Sequence, residues 1–276
     1  MNYLIFVSIL WSFSFGIIKY SLDGVDSFFI SFARNLIALS FFAGVSIYNL
    51  KKFNLDYRLI AIGAIQFGLM YIFYIQSYQF LPAYLIATFT ITTPIFIALS
   101  NRLFLKKNIK ARGGYAIILV LIGSFIMRFN DASPLDYWKG FFLIQLANFF
   151  FAFGQVLFKD WNKRNEHIDI IHNFSQLFLG ASLITSFFYF FLMDFSTSLT
   201  NFNIVALLFL GFISSGIGFL LWNIGTTKVS PEKLAISNNI IIPIAIINSY
   251  LFFGEAISIK SLIPGLICFY MAYKII

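Results

Sequence analysis

Acidic residues are scarce, and none lies deep in an apolar run. The 276-residue chain has 11 Asp and Glu against 19 Lys and Arg, and only 11% of it is charged. Soluble domains are nearer 25% charged. One cysteine, Cys268, excludes an intrachain disulfide. There are two histidines, His167 and His172; five residues apart, they would sit about 140° apart on a helix, poor geometry for a shared metal. No metal, no cofactor and no enzymatic activity is expected. Only Met1-Asn2 precede the first apolar run, so no cleavable signal peptide is expected and the first segment reads as a retained helix.

What the chain has in excess is apolar surface. It is 60% hydrophobic and 20% aromatic, including 38 Phe and 14 Tyr. A helix needs roughly 20 apolar residues to cross the ~30 Å hydrocarbon core. Ten runs qualify, at 3–20, 27–48, 58–79, 83–104, 112–128, 138–158, 171–192, 203–224, 233–253 and 261–275. The sequence therefore predicts an all-α integral membrane protein of ten transmembrane helices. Net charge of +8 would suit nucleic acid, but Lys and Arg gather in the breaks between runs, as membrane topology requires. The expected partners are the lipid bilayer and a small-molecule solute, not nucleic acid, for a monomer or homodimer. With the N-terminus inside, 14 basic residues fall on the inner side and 4 on the outer, which places both termini in the cytoplasm.

The chain also repeats itself. LPAYLIATFTITTP (81–94) aligns with SPEKLAISNNIIIP (230–243) at an offset of 149, matching Pro82 to Pro231, Thr90 to Asn239 and Pro94 to Pro243. Gln66 meets Ser215, Phe73 meets Trp222 and Tyr74 meets Asn223 at the same offset. Earlier in each half, Ser8 meets Asn148 and Lys19 meets Lys159 at an offset of 140. Two five-helix repeats, 1–130 and 137–276, follow. Five is odd, so the second half enters the membrane inverted, the arrangement of many secondary transporters with a midplane site.

These residues resemble the drug/metabolite transporter superfamily, specifically its ten-helix EamA-type transporters. ILWSFSFGIIKY resembles that family's first helix, SFFISFARNLIAL its second, and GFFLIQLANFFFAFGQVLFK its sixth. The segments beginning at Leu81 and Ser230 resemble its paired fourth and ninth helices. One departure stands out: Phe253-Gly254-Glu255 keeps the family's acid, whereas the first half has Leu105-Lys106-Lys107. The resemblance implies a bacterial inner-membrane transporter. The four-helix multidrug members of that superfamily use a central carboxylate as proton carrier, and this chain lacks one.

Polar residues inside a bilayer should face the bundle interior or a wet cavity. Gln145, Asn148, Gln155 and Lys159 occupy about an 80° arc of one helix. Ser8, Trp11, Ser12 and Lys19 form a similar stripe. Gln66, Met70, Phe73 and Ser77 share a face, as do Ser215, Phe219, Trp222 and Thr226, with Tyr74 and Asn223 flanking. The expected solute site therefore comprises Ser8, Trp11, Arg34, Gln66, Tyr74, Thr88, Gln145, Asn148, Gln155, Ser215, Trp222, Asn223, Asn238 and Asn239. Helix-to-helix hydrogen bonding is the plain alternative for each. Pro94 and Pro243 each remove an amide hydrogen from a helix, giving an expected break or hinge. Arg34, about seven residues or ~10 Å in from the outer end of its run, would attract a carboxylate or phosphate; the alternative is a snorkelling or helix-pairing arginine. The expected function is export of amino acids or similar solutes by alternating access. The alternative is uptake or exchange of an anionic nucleotide, nucleoside or cofactor.

Overall fold

A computed structural model describes residues 2–48, 55–81, 83–106, 111–128, 137–192, 198–253 and 259–275, and every regular element among them is helical. Helix α1 is Asn2–Ser21, α2 is Ser27–Tyr48 and α3 is Tyr57–Ser77. Helix α4 consists of two halves, Ala83–Phe89 and Thr93–Leu105, joined by a 3-10 turn at Thr90–Thr92. Helix α5 is Ala111–Arg128 and α6 is Tyr137–Arg164. Helix α7 is Ile170–Leu192 and α8 is Asn201–Thr227. Helix α9 is again in two halves, Pro231–Asn239 and Ile241–Phe253, and α10 is Ile259–Ile275.

Each expected apolar run coincides with one of these helices. The largest difference is α6, which continues to Arg164 rather than ending at 158. Its extra turns carry the Arg164–Asp160 ion pair, 2.8 Å long and spaced i,i+4. Among the described residues, seven helices are long and apolar enough to cross a membrane: α1 to α4 and α6 to α8. Helices α5 and α10 hold shorter apolar stretches, and the halves of α9 are 9 and 13 residues long.

Helix ends are fixed by local chemistry. Thr200 and Asn203 form a reciprocal capping box at the start of α8. Ser230 caps α9 by accepting from the Lys233 amide, with Pro231 in the first turn. Lys106 closes α4 in the left-handed conformation (φ 52°). Lys107 and Glu255, the positions of the family departure, lie outside the described residues.

Packing follows a pattern that survives exchange of the first five helices for the last five. Helix α2 lies along α7, and α5 along α10. Helix α3 packs on α6 and α7, as α8 packs on α1 and α2. Helix α4 meets α6, α9 meets α1, and α4 and α9 touch each other. At the α3–α7 crossing the backbones touch: a methyl at Gly63 would collide with the Leu177 carbonyl, and one at Gly180 with that of Ile60. Around this crossing, Phe67 stacks on Phe178 at 5.0 Å and reaches Phe219 of α8 at 4.2 Å. Large apolar side chains such as Phe187, Phe190, Phe191 and Phe252 point outward, where lipid would cover them.

Irregular backbone also recurs at matching places. The turn at Thr90–Thr92 and the interruption of α9 at Ile240 stand 149 residues apart, since Ile91 maps onto Ile240. The π-helical segments Ala64–Leu69 of α3 and Phe209–Ile217 of α8 overlap at that offset. Lys19 donates to the carbonyl of Tyr78, past the end of α3, at 3.5 Å; its counterpart Lys159 donates to that of Val229, past the end of α8.

Candidate functional site

Where α1, α2, α3, α4, α6, α8 and α9 converge, the helices leave a cavity of about 100 Å³. That is room for several waters. Its apolar wall is aromatic. Trp11 lies 4.9 Å from both Trp222 and Phe219, ring centre to ring centre, and Phe151 closes the group. Both indole N–H groups are engaged by protein acceptors. Trp11 donates to the Ser214 carbonyl at 2.9 Å, and Trp222 to Gln155 Oε1 at 3.0 Å. What the two indoles contribute to the cavity wall is therefore apolar ring surface, not a free donor.

Among the described residues, Arg34 is the one charged residue on the cavity lining, and it is 2% exposed. Its Nη2 donates to the Tyr71 hydroxyl at 2.7 Å, and its Nε to Ser215 Oγ at 3.2 Å. Tyr71 and Ser215 share a hydrogen bond of 2.8 Å, so the pair forms a bracket behind the guanidinium. Among the described residues no carboxylate meets Arg34, and Nη1 is buried without a hydrogen-bond partner. An enclosed guanidinium lacking a counter-charge is costly, and an anion at Nη1 would relieve it. The helix-pairing alternative accounts for Nε and Nη2 but leaves Nη1 unexplained.

The cavity's other polar wall grows out of the break in α4. Pro94 has no N–H to give the Thr90 carbonyl, which takes the Thr93 amide instead. Within that tightened turn, Phe89 O accepts from Asn148 Nδ2 at 2.7 Å and Gln145 Nε2 at 3.5 Å. Ile91 O accepts from Asn239 Nδ2 of α9 at 3.0 Å. The two interrupted helices therefore meet at their breaks, and an asparagine of one donates to a carbonyl in the break of the other. The neighbouring Asn238 serves its own helix, donating to Leu234 O at 2.8 Å, and contacts Gln155 at 3.4 Å.

Of the residues expected at the site, Ser8, Trp11, Arg34, Tyr74, Asn148, Trp222 and Asn238 line the cavity. Ser215 and Gln155 stand one layer behind, holding Arg34 and Trp222. Gln145 is bonded to Thr92, at 2.6 Å, and Asn239 to α4. Gln66 and Asn223 bond to each other at 2.9 Å, fully buried between α3 and α8. Thr88 sits half-buried on the first half of α4, outside the lining. Pro94 and Pro243 are buried, each just beyond a break. Ser14, Tyr71 and Ser214 line the cavity without having been expected there. Ser14 and Ser214 pair at 2.8 Å between α1 and α8, whereas Ser12 turns aside to Asn248 of α9. Tyr71 was hidden by the π segment Ala64–Leu69: spacing at 100° per residue loses phase across it, so the cavity face becomes Met70, Tyr71 and Tyr74 rather than Met70 and Phe73.

Residues 1–129 and 138–275 each match the EamA-like transporter family. The biotin transporter of Escherichia coli is 34% identical over 249 residues, spanning 88% of this chain and 81% of that protein. The probable biotin transporter of Pseudomonas aeruginosa is 30% identical over 268 residues, spanning 96% and 93% respectively. A crystal structure of a protein described no further superposes with a TM-score of 0.79 over 99% of this chain and 94% of that one. At 13% identity, that likeness concerns the fold alone.

Proposed function

The chain belongs to the EamA-like transporter family, and from that premise we propose that it takes up a small monoanionic cofactor, biotin. It is a multi-pass inner-membrane transporter, not an enzyme. Expected export of amino acids gives way to the cofactor alternative, because the relatives above are named for a cofactor.

Arg34 carries the reading. One unpartnered guanidinium nitrogen on an otherwise uncharged cavity suits one carboxylate. A nucleotide's phosphates would call for more cations than this lining offers. Biotin has one carboxylate on a hydrocarbon chain and a compact fused ring. The ring and chain suit the aromatic faces of Trp11, Trp222, Phe219 and Phe151, and the carboxylate suits Nη1 of Arg34. A solute of that size needs the cavity walls to part, in keeping with alternating access.

The helices then read as two inverted five-helix halves, 1–130 and 137–276, about this cavity. Two separate family matches, the exchange-invariant packing and the paired breaks in α4 and α9 support that arrangement.

The test is uptake of labelled biotin into proteoliposomes. Saturable uptake is expected, with unlabelled biotin competing and biotin methyl ester competing at least about tenfold more weakly. Arg34→Gln should abolish most uptake, and Arg34→Lys should restore little, because a compact ammonium lacks the planar fork that spans Tyr71 and Ser215 while presenting a third nitrogen. Equal competition by the ester, or normal uptake by Arg34→Gln, refutes the assignment.

A further inference from the structure

The cavity lining carries two kinds of hydrogen-bonding group. Arg34 supplies hydrogen-bond donors at one place on the wall. Three other lining groups have already given their donors away. Ser8 Oγ donates to Leu4 O at 2.9 Å, and Thr90 Oγ1 to Ala87 O at 2.7 Å, each within its own helix. Asn148 Nδ2 has two hydrogens, and both are engaged, one with Phe89 O at 2.7 Å and one with Thr92 Oγ1 at 3.1 Å. Those bonds also fix the amide's orientation, since a flipped Asn148 would set its Oδ1 against the Phe89 carbonyl. What Ser8, Thr90 and Asn148 still offer is lone pairs. All three line the cavity.

We propose that Ser8 Oγ, Thr90 Oγ1 and Asn148 Oδ1 form an acceptor pole that selects solutes carrying N–H groups, so that this transporter distinguishes ring carboxylates with ring N–H donors from those without. The inference rests on the uptake reading above and adds to it the basis of selectivity. A carboxylate alone would satisfy Arg34 and leave the acceptor pole bare. A solute with a urea-like ring at the far end from its carboxylate satisfies both. Ser8 and Asn148 are counterparts in the two halves of the chain, at an offset of 140, so one polar position of the ancestral repeat serves the same pole twice. Discrimination of this kind arises because a site built around hydrogen bonds is left with unpaired groups when the analogue lacks them.

Lipoate is the diagnostic probe, since it pairs a carboxylate on a similar hydrocarbon chain with a disulfide ring that has no N–H. In proteoliposomes carrying the unaltered protein, lipoate and a biotin methylated on a ring nitrogen should each compete with labelled biotin at least about tenfold more weakly than biotin does. Ser8→Ala and Thr90→Val remove acceptors whose own bonds lie within one helix, so the helix contacts of Asn148 stay intact. Each should raise the KM for biotin about tenfold while moving the inhibition constant of lipoate by no more than about twofold. Because the analogue competition uses the unaltered protein, it decides the matter even if a variant fails to fold. Lipoate competing as well as biotin overturns the acceptor pole, as do variants that weaken both solutes in parallel. Saturable biotin uptake without such discrimination sinks this inference alone; absence of biotin uptake sinks the transport reading together with it.

Discussion

Gln66 and Asn223 are fully buried and hold each other by two amide hydrogen bonds, of 2.9 and 3.5 Å, between α3 and α8. Replacing one leaves the other an orphan. Gln66→Leu should therefore lower stability by about 1–2 kcal/mol. The double variant Gln66→Leu with Asn223→Leu should regain part of that loss and keep biotin uptake. Thermal melting in detergent, alongside uptake, measures both. An additive double variant would mean that the two amides do not depend on each other. The same pair shows how far the site could be read from the sequence. Helical spacing reports that a polar residue faces inward. It is silent on whether that residue meets a void, as Asn148 does, or another amide, as Gln66 does. Arg34 was legible because a lone intramembrane cation demands a partner; that its Nη1 has none depends on where Tyr71 and Ser215 stand, which no local pattern encodes.

The breaks in α4 and α9 belong to the scale of elements. Both follow from a proline whose missing N–H is visible in the sequence, and the repeat predicts that they match. The π segments in α3 and α8 have no such marker, so the phase error they introduce could not be foreseen from spacing. Pro94→Ala tests what the α4 break does. It returns an N–H to the Thr90 carbonyl and lets the 3-10 turn relax to regular helix, which would turn the Phe89 carbonyl back along the helix axis. Asn148 would then lose the partner that holds its amide in place. Stability should hold or rise slightly, while the KM for biotin rises several-fold as Asn148 loosens. A variant that melts at a lower temperature would show instead that the break is built into packing elsewhere.

At the scale of the whole molecule, the question is which way each half faces. Basic residues divide 14 to 4 between the two sides only if α1 starts in the cytoplasm and each later helix crosses once. That scheme puts the α1–α2 connection outside and the α6–α7 connection inside, although the two follow the first helix of their respective halves. Inversion is therefore a statement about two loops. Asp23 is exposed in the first and Glu166 in the second. Cys268 is the chain's one cysteine, so a Cys268→Ser background leaves a single introduced thiol to read. In right-side-out membrane vesicles, an impermeant maleimide should label Asp23→Cys directly and Glu166→Cys only after permeabilisation. Labelling of both from one side would rule out an inverted second half, however well the packing of α2 on α7 and α5 on α10 survives the exchange. Reversed labelling would keep the inversion and place the bulk of the basic residues outside, against the charge rule. The expected pattern would set Lys19 and Lys159, each donating to a carbonyl beyond the third helix of its half, at opposite faces of the membrane. Rocking of the halves would then have to release one such contact at a time for the cavity between them to open to either side.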